Sequence, residues 1–161
     1  MSKQHNDVGK FHKRFGLPTS ESLRKPTYLR REAIMFRLRF LFEELGELAD
    51  AYGIQAIVEL KPKIDAGLDF QDMPKIADSL IDLAYVVHGT AHMHGLPWDK
   101  LWQEVQRANM LKERARTDGL NSTRSSSLDV VKPEGWKPPR IEDVLLRAGW
   151  PGHRLPGIEE D

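Results

Sequence analysis

RFLFEELGEL, Arg39 to Leu48, carries two patterns on one stretch of chain. Leu41, Leu45 and Leu48 recur at helical steps, while Glu43, Glu44 and Glu47 fall within a single turn of the same helix. Outward from this stretch, Ile34, Leu38 and Tyr52 extend the apolar stripe. Thr27 is placed to cap its start and Gly53 to stop it, so the pattern predicts a long helix over Tyr28 to Tyr52. Glu44 and Glu47 are i, i+3 neighbours and Glu43 and Glu47 are i, i+4 neighbours, and like charges so placed repel. Taken alone, the cluster reads equally well as a solvated acidic face, because Glu is a good helix former.

A second helix decides between the two readings. Asp72 and Pro74 signal its start, Gly95 its end after His94, and Ile76, Ala77, Leu80, Leu83, Ala84, Val87 and Ala91 cover most of its circumference. Such a helix is expected in the interior. Yet Asp78 and Asp82 stand four apart on one face of it, a face that Tyr85 and Gly89 continue. A buried carboxylate costs on the order of several kcal/mol unless it is paired or bound to metal. Salt bridges to Arg37 or Arg39 are one remedy, but two acidic clusters ask for more positive charge than those arginines offer. Hard divalent cations prefer oxygen shells, and Mg²⁺ is held by a few carboxylates, waters and substrate phosphates. Glu43, Glu44, Glu47, Asp78 and Asp82 are therefore the candidate metal ligands and catalytic carboxylates. Metal held by them would accept triphosphate oxygens, polarise phosphorus and activate a water.

The rest of the chain reads as helices and connectors. Val8, Phe11 and Phe15 predict a short helix over Asn6 to Phe15, ended by Gly16 and Pro18. Residues 54–72, with Pro62 and Gly67, read as an irregular connector holding an extra helical turn. Leu96, Pro97 and Trp98 open a helix that Leu101, Trp102, Val105, Ala108 and Leu111 carry to Arg116, expected beside its predecessor as an antiparallel hairpin. Asn109 and Lys112 lie one turn apart near its C-terminus, where Lys112 either answers the helix dipole or holds an outgoing pyrophosphate. TDGLNSTRSSS reads as a turn or mobile loop, with Arg124 on solvated surface rather than clamping phosphate. LDVVKPEGWKPP follows as an extended arm, and Ile141 to Ala148 makes two amphipathic turns ended by Gly149. No repeat and no strong strand pattern appears. The expectation is an all-α bundle of about four main helices, with residues 1–118 as its core and 119–161 as loop, arm and short helix packed on it.

Composition narrows the function classes. The 161 residues are 40% apolar and 30% charged, which suits one globular domain. Lys plus Arg and Asp plus Glu both number 24, so no general charge favours nucleic acid or an anionic membrane. The absence of cysteine excludes disulfides and thiolate metal sites and agrees with a reducing compartment. The first residues lack an apolar signal core, and the most apolar window, Ile76 to Ala91, is short and contains two aspartates, so a soluble cytoplasmic protein is expected.

Taken together, RFLFEELGEL, IADSLIDLAYVVHGTAHMHGLP, EVQRANMLK and KPEGWKPP resemble the all-α nucleoside triphosphate pyrophosphatase superfamily of MazG and dimeric dUTPase. The likeness is nearest to its phosphoribosyl-ATP pyrophosphohydrolase-like branch, and within that to the phage MazZ group. It implies that Glu43, Glu44 and Glu47 match the first acidic motif and that Asp82 closes the second. Ser79 stands where that second motif commonly has glutamate, which leaves Asp78, one residue earlier, to supply the carboxylate. The resemblance further implies Mg²⁺, with Mn²⁺ substituting, at roughly two or three ions per site, a homodimer or homotetramer, and cleavage of dGTP or GTP to the monophosphate and pyrophosphate, feeding 2-aminoadenine nucleotide synthesis. Substrate is then expected against Phe11, His12 and Phe15 of the first helix, Tyr85, Asn109 and Lys112, with Lys132 and Lys137 near phosphate and Trp136 stacking on the base as the arm closes.

Rival classes fail on named residues. A di-iron bundle needs Glu-x-x-His pairs, and no acid stands three residues before His88, His92 or His94, which read as packing or surface histidines. Arg31-Glu32 with Glu43-Glu44 hints at a Nudix box, but Arg39-Phe40 occupies the register where that motif needs Arg-Glu. No His-Asp dipeptide and no Gly-x-x-x-x-Gly-Lys loop occurs. A pool-controlling dNTP pyrophosphatase of other base preference, or a non-enzymatic helical interaction module that binds no Mg²⁺, are the alternatives.

Overall fold

The structure, a computed structural model, describes residues 2–19, 26–61 and 71–152. Its elements in order are α1 (Lys3–Arg14), α2 (Arg31–Ala51), α3 (Met73–Met93), α4 (Trp98–Asn109), β1 (Glu113–Arg114), β2 (Val130–Val131) and α5 (Ile141–Arg147). The expected all-α class holds, with one addition. β1 and β2 form a two-residue antiparallel ribbon, Glu113 opposite Val131 and Arg114 opposite Val130, which the sequence did not announce. No helix among the described residues is long and apolar enough to cross a membrane.

Helix boundaries follow local chemistry. Ser2 Oγ accepts the His5 amide at 3.2 Å and starts α1 three residues before the expected Asn6. α2 begins at Arg31, not at Tyr28, and Thr27 is not its cap: the side-chain amide of Gln71 holds the backbone of Leu29, accepting from its N–H and donating to its carbonyl, both at 3.0 Å, outside the helix. α3 keeps its expected ends. Asp72 Oδ1 accepts the Lys75 amide at 3.3 Å, and past the other end the Leu96 amide closes on the Ala91 carbonyl at 3.0 Å around Gly95, whose φ is +64°. α4 stops at Asn109, seven residues short of the expected Arg116, because residues 113–114 are drawn into the ribbon. Residues 54–61 form no regular element, and the extra turn expected near Pro62 and Gly67 lies outside the described residues.

The chain divides into two compact units, one drawn from Met1–Pro18, Ile81–Arg114 and Val130–Asp161, the other from Thr19–Leu80 and Ala115–Asp129. In the first, α1 and α5 pack on α4. Asp7, 7% exposed, is the joint between α1 and α4: Lys3 and Lys10 pair with it, the Trp102 indole donates to it at 3.3 Å, and Gln106 donates to its backbone carbonyl at 3.0 Å. Lys10, then Lys3 and Trp102, hold the Asp7 carboxyl below its ordinary range against the opposing effect of burial. Glu104 joins α4 to α5, its Oε1 accepting from Arg107 and from both the backbone and the guanidinium of Arg140. The hairpin expected of α3 and α4 is confined to their elbow, where the rings of His88 and Trp98 lie 4.6 Å apart.

In the second unit, residues 115–129 form a hydrogen-bonded turn region, the first of the two alternatives expected for this stretch. Ser122 Oγ donates to Asp129 at 2.7 Å, and the Asn121 side chain accepts the Arg116 amide at 2.8 Å. Gly119 has φ +68°, and a Cβ there would lie 2.9 Å from Ser126 N and 3.0 Å from Ser125 C.

The expectation that α3 is interior is overturned within one chain. Only Ala91 is buried, while Leu80, Leu83 and Val87 are about half exposed, and Leu41, Leu45 and Leu48 of α2 are likewise open. Apolarity marks a face that wants covering; it does not say that the same chain supplies the cover.

Candidate active site

Helical geometry puts Glu43, Glu44 and Glu47 on one turn of α2, all three exposed. Glu43, expected as a ligand beside the other two, is engaged by an arginine. The guanidinium of Arg124 grips both its oxygens, Nε to Oε2 at 2.7 Å and Nη2 to Oε1 at 2.8 Å, the fork geometry that makes arginine–carboxylate pairs specific. The remaining nitrogen, Nη1, reaches both oxygens of Asp129, which is 5% exposed, and the guanidinium lies 4.3 Å from the centre of the Phe40 ring. Burial works against the charge on Arg124, but Glu43 and then Asp129 outweigh it and raise its pKa. Arg124 is thus no solvated surface residue. It was missed because its partner Glu43 is 81 positions away, and an arginine among serines carries no local mark of a distant ion pair.

On α3, Asp78 and Asp82 are four residues apart, both exposed, and Tyr85, one turn on, is 79% exposed. Among the described residues Glu47, Asp78 and Asp82 take part in no ion pair, and no three Asp, Glu, His or Cys side chains converge as a metal cluster. The donor chemistry nevertheless suits a hard cation: oxygen only, one sign, exposed to water. Arg37 and Arg39, the cations considered for neutralising these acids, pair with neither helix's carboxylates in the described residues; Arg37 lies against Phe40 at 5.8 Å. A cavity of about 770 Å³ opens beside Glu43, lined among others by Arg31, Phe36, Arg39, Thr123 and Arg124.

The expected substrate residues of the first unit fall into two groups. Trp136 is half-buried, its indole donating to the Ala108 carbonyl near the end of α4 at 2.9 Å, with Lys132 Nζ 5.0 Å and Lys112 Nζ 5.8 Å from the ring centre. That arrangement brings together Lys112, Lys132 and Trp136, with Asn109 the last residue of α4. Lys137 is exposed on the same arm. On α1, the His12 ring donates from Nδ1 to the Pro18 carbonyl at 2.7 Å, and Phe15, 7% exposed, packs edge-on against Phe11 at 4.8 Å and so takes a core place.

Comparison with known proteins bears on the whole arrangement. The chain is similar in fold to the crystal structure of a protein from Exiguobacterium sp. 255-15 described as an NTP pyrophosphohydrolase, at TM-score 0.63 and 24% identity over 91% of this chain and 96% of that one. No curated protein matches it. Residues 8–109, which hold the second half of α1, all of α2 to α4 and every candidate carboxylate, match the family model for phosphoribosyl-ATP pyrophosphohydrolase. The chain belongs to the phosphoribosyl-ATP pyrophosphohydrolase family.

Proposed function

We propose that the protein is a Mg²⁺-dependent nucleoside triphosphate pyrophosphohydrolase that cleaves dGTP, and GTP close behind, to the monophosphate and pyrophosphate. The observation that carries this reading is the exposed acidic turn of α2 in a chain of this family, with Asp78 and Asp82 supplying the second acidic helix. Glu44, Glu47, Asp78 and Asp82 would hold the metal, with Mn²⁺ as a substitute. When bound, the metal supplies charge neutralisation at the phosphates and a water of lowered pKa. Lys112 and Lys132 are suited to the outgoing pyrophosphate as point charges, and Trp136, with Phe11 and His12, to the base. The triphosphate choice accords with the description of the Exiguobacterium protein, and the guanine choice with the resemblance to MazZ, whose product feeds 2-aminoadenine synthesis in the cytoplasm of a phage-infected cell.

A second copy of the chain completes the reading. The open leucine stripe of α2 and the open face of α3 are what a homodimer, or a tetramer of dimers, would cover.

The test is direct. The protein is incubated with Mg²⁺ or Mn²⁺ and each ribo- and deoxynucleoside triphosphate, with phosphoribosyl-ATP alongside, and the products are separated. Monophosphate and pyrophosphate from dGTP fastest is the expected result. Fastest turnover of dUTP, dCTP, dATP or phosphoribosyl-ATP would overturn the guanine assignment and spare the reaction. Orthophosphate alone from every substrate would overturn the reaction itself, and no turnover with no Mg²⁺ binding would favour a helical interaction module.

A further inference from the structure

The fork between Arg124 and Glu43 is more than a surface pair. Arg124 has a 24% exposed side chain, and three of its nitrogens are spent on two carboxylates from different parts of one unit, Glu43 on α2 and the buried Asp129 at the end of the 115–129 region. Asp129 is itself fixed by Ser122, whose oxygen also accepts the Arg124 amide at 3.0 Å. The Phe40 ring, one turn before Glu43, lies against the guanidinium. Four groups therefore agree on one position for this side chain, and that position ties up one of three carboxylates of the acidic turn.

We infer that Arg124 is a positioning residue that holds Glu43 out of the metal shell, so that metal engages the turn through Glu44 and Glu47 while Glu43 clasps residues 115–129 to α2. The inference rests on the metal-dependent reading above and assigns Glu43 a role that reading leaves open. Each oxygen has one lone-pair direction spent on the guanidinium, the fork fixes where the carboxylate points, and the paired arginine lowers the net charge of the turn. Releasing Glu43 would restore a third carboxylate one residue from Glu44 and one turn from Glu47.

The test compares Mn²⁺ binding, read by electron paramagnetic resonance of the unbound ion, with hydrogen exchange of the 115–129 amides, in wild type, Glu43→Gln, Glu47→Gln, Arg124→Gln and Arg124→Lys. Glu43→Gln should leave Mn²⁺ affinity within about twofold of wild type, whereas Glu47→Gln should weaken it by about tenfold or more. Arg124→Gln should bind Mn²⁺ about threefold more tightly or take up a further ion, the scale set by freeing one partly exposed charge. Amide protection in 115–129 should fall in both Glu43→Gln and Arg124→Gln. Arg124→Lys should return Mn²⁺ affinity to wild type while recovering only part of that protection, because lysine keeps the charge and loses the fork. Loss of Mn²⁺ binding in Glu43→Gln equal to that in Glu47→Gln would overturn the inference, as would unchanged Mn²⁺ binding in a folded Arg124→Gln. If Arg124→Gln does not fold, Glu43→Gln against Glu47→Gln decides alone. A wild type that binds no Mn²⁺ overturns the metal reading and this inference with it, whereas loss in Glu47→Gln beside loss in Glu43→Gln overturns only the clasp.

Discussion

Glu104 on α4 and Glu47 on α2 are the same side chain in opposite circumstances. Glu104 is buried, and one of its oxygens accepts four donors from Arg107 and Arg140; Asp7 on α1 is buried between two lysines and an indole. The turn of α2 holds three glutamates in the open; the fork of Arg124 is spent on Glu43, and Glu47 takes part in no ion pair among the described residues. Where carboxylates serve the fold, cations arrive with them. Where carboxylates are gathered on one exposed turn, the helix bears a repulsion that a bound positive charge relieves.

That contrast breaks most sharply by substitution. Glu44→Gln, Glu47→Gln and Asp82→Asn should each lower turnover by roughly 100-fold or more, since even partners one layer outside a metal cost about 10–100-fold. Their melting temperatures should stay level or rise as repulsion falls. Near wild-type turnover in all three would erase the distinction drawn between the two kinds of carboxylate. Glu104→Gln should do the reverse, lowering the melting temperature and leaving Mn²⁺ binding alone. Arg107 first, then Arg140, holds the Glu104 carboxyl far below its ordinary range, so its contribution is fully present above the unfolded value of about 4.3 and is lost as pH falls toward the folded value. Thermal melts of wild type and Glu104→Gln should therefore differ at pH 7 and converge in acid; a constant difference would refute the linkage.

Sedimentation at micromolar concentration should show a dimer or tetramer, and Leu45→Glu on the open stripe of α2 should shift it toward monomer. A monodisperse wild-type monomer would mean that the apolar faces have another use. The smallest effects belong to the arm. Lys132→Ala should raise KM for nucleotide by about threefold to tenfold with kcat little changed, as a single exposed phosphate contact would. Trp136→Ala should raise KM further, and an unchanged KM and kcat in both variants would leave the arm a packing element only.

Much of the fold was legible because it is written locally. The 3.6-residue period gave α2 and α3, and Asp72, Gly53 and Gly95 marked ends that the backbone respects. What escaped was written at a distance. The start of α2 is set by Gln71, 42 positions from Leu29, and the end of α4 by a ribbon partner on the far side of the 115–129 region. The candidate site divides the same way. Glu43, Glu44, Glu47, Asp78 and Asp82 stand out by spacing alone, whereas the fate of Glu43 depends on an arginine in a stretch that reads as polar filler. Phe15, expected against substrate from its place on an aromatic helix, is buried, a contact that spacing does not announce.

Gly119 carries a consequence for anyone surveying variants of this protein. Its backbone sits where side chains are strained, and a methyl group there would run into the backbone of Ser125 and Ser126, beside Arg124. Alanine at that position would force the loop outward and pull the guanidinium off Glu43. A residue with no chemistry of its own would then behave as Arg124→Gln does, and loss of amide protection in 115–129 without loss of Mn²⁺ binding would set it apart from the acids.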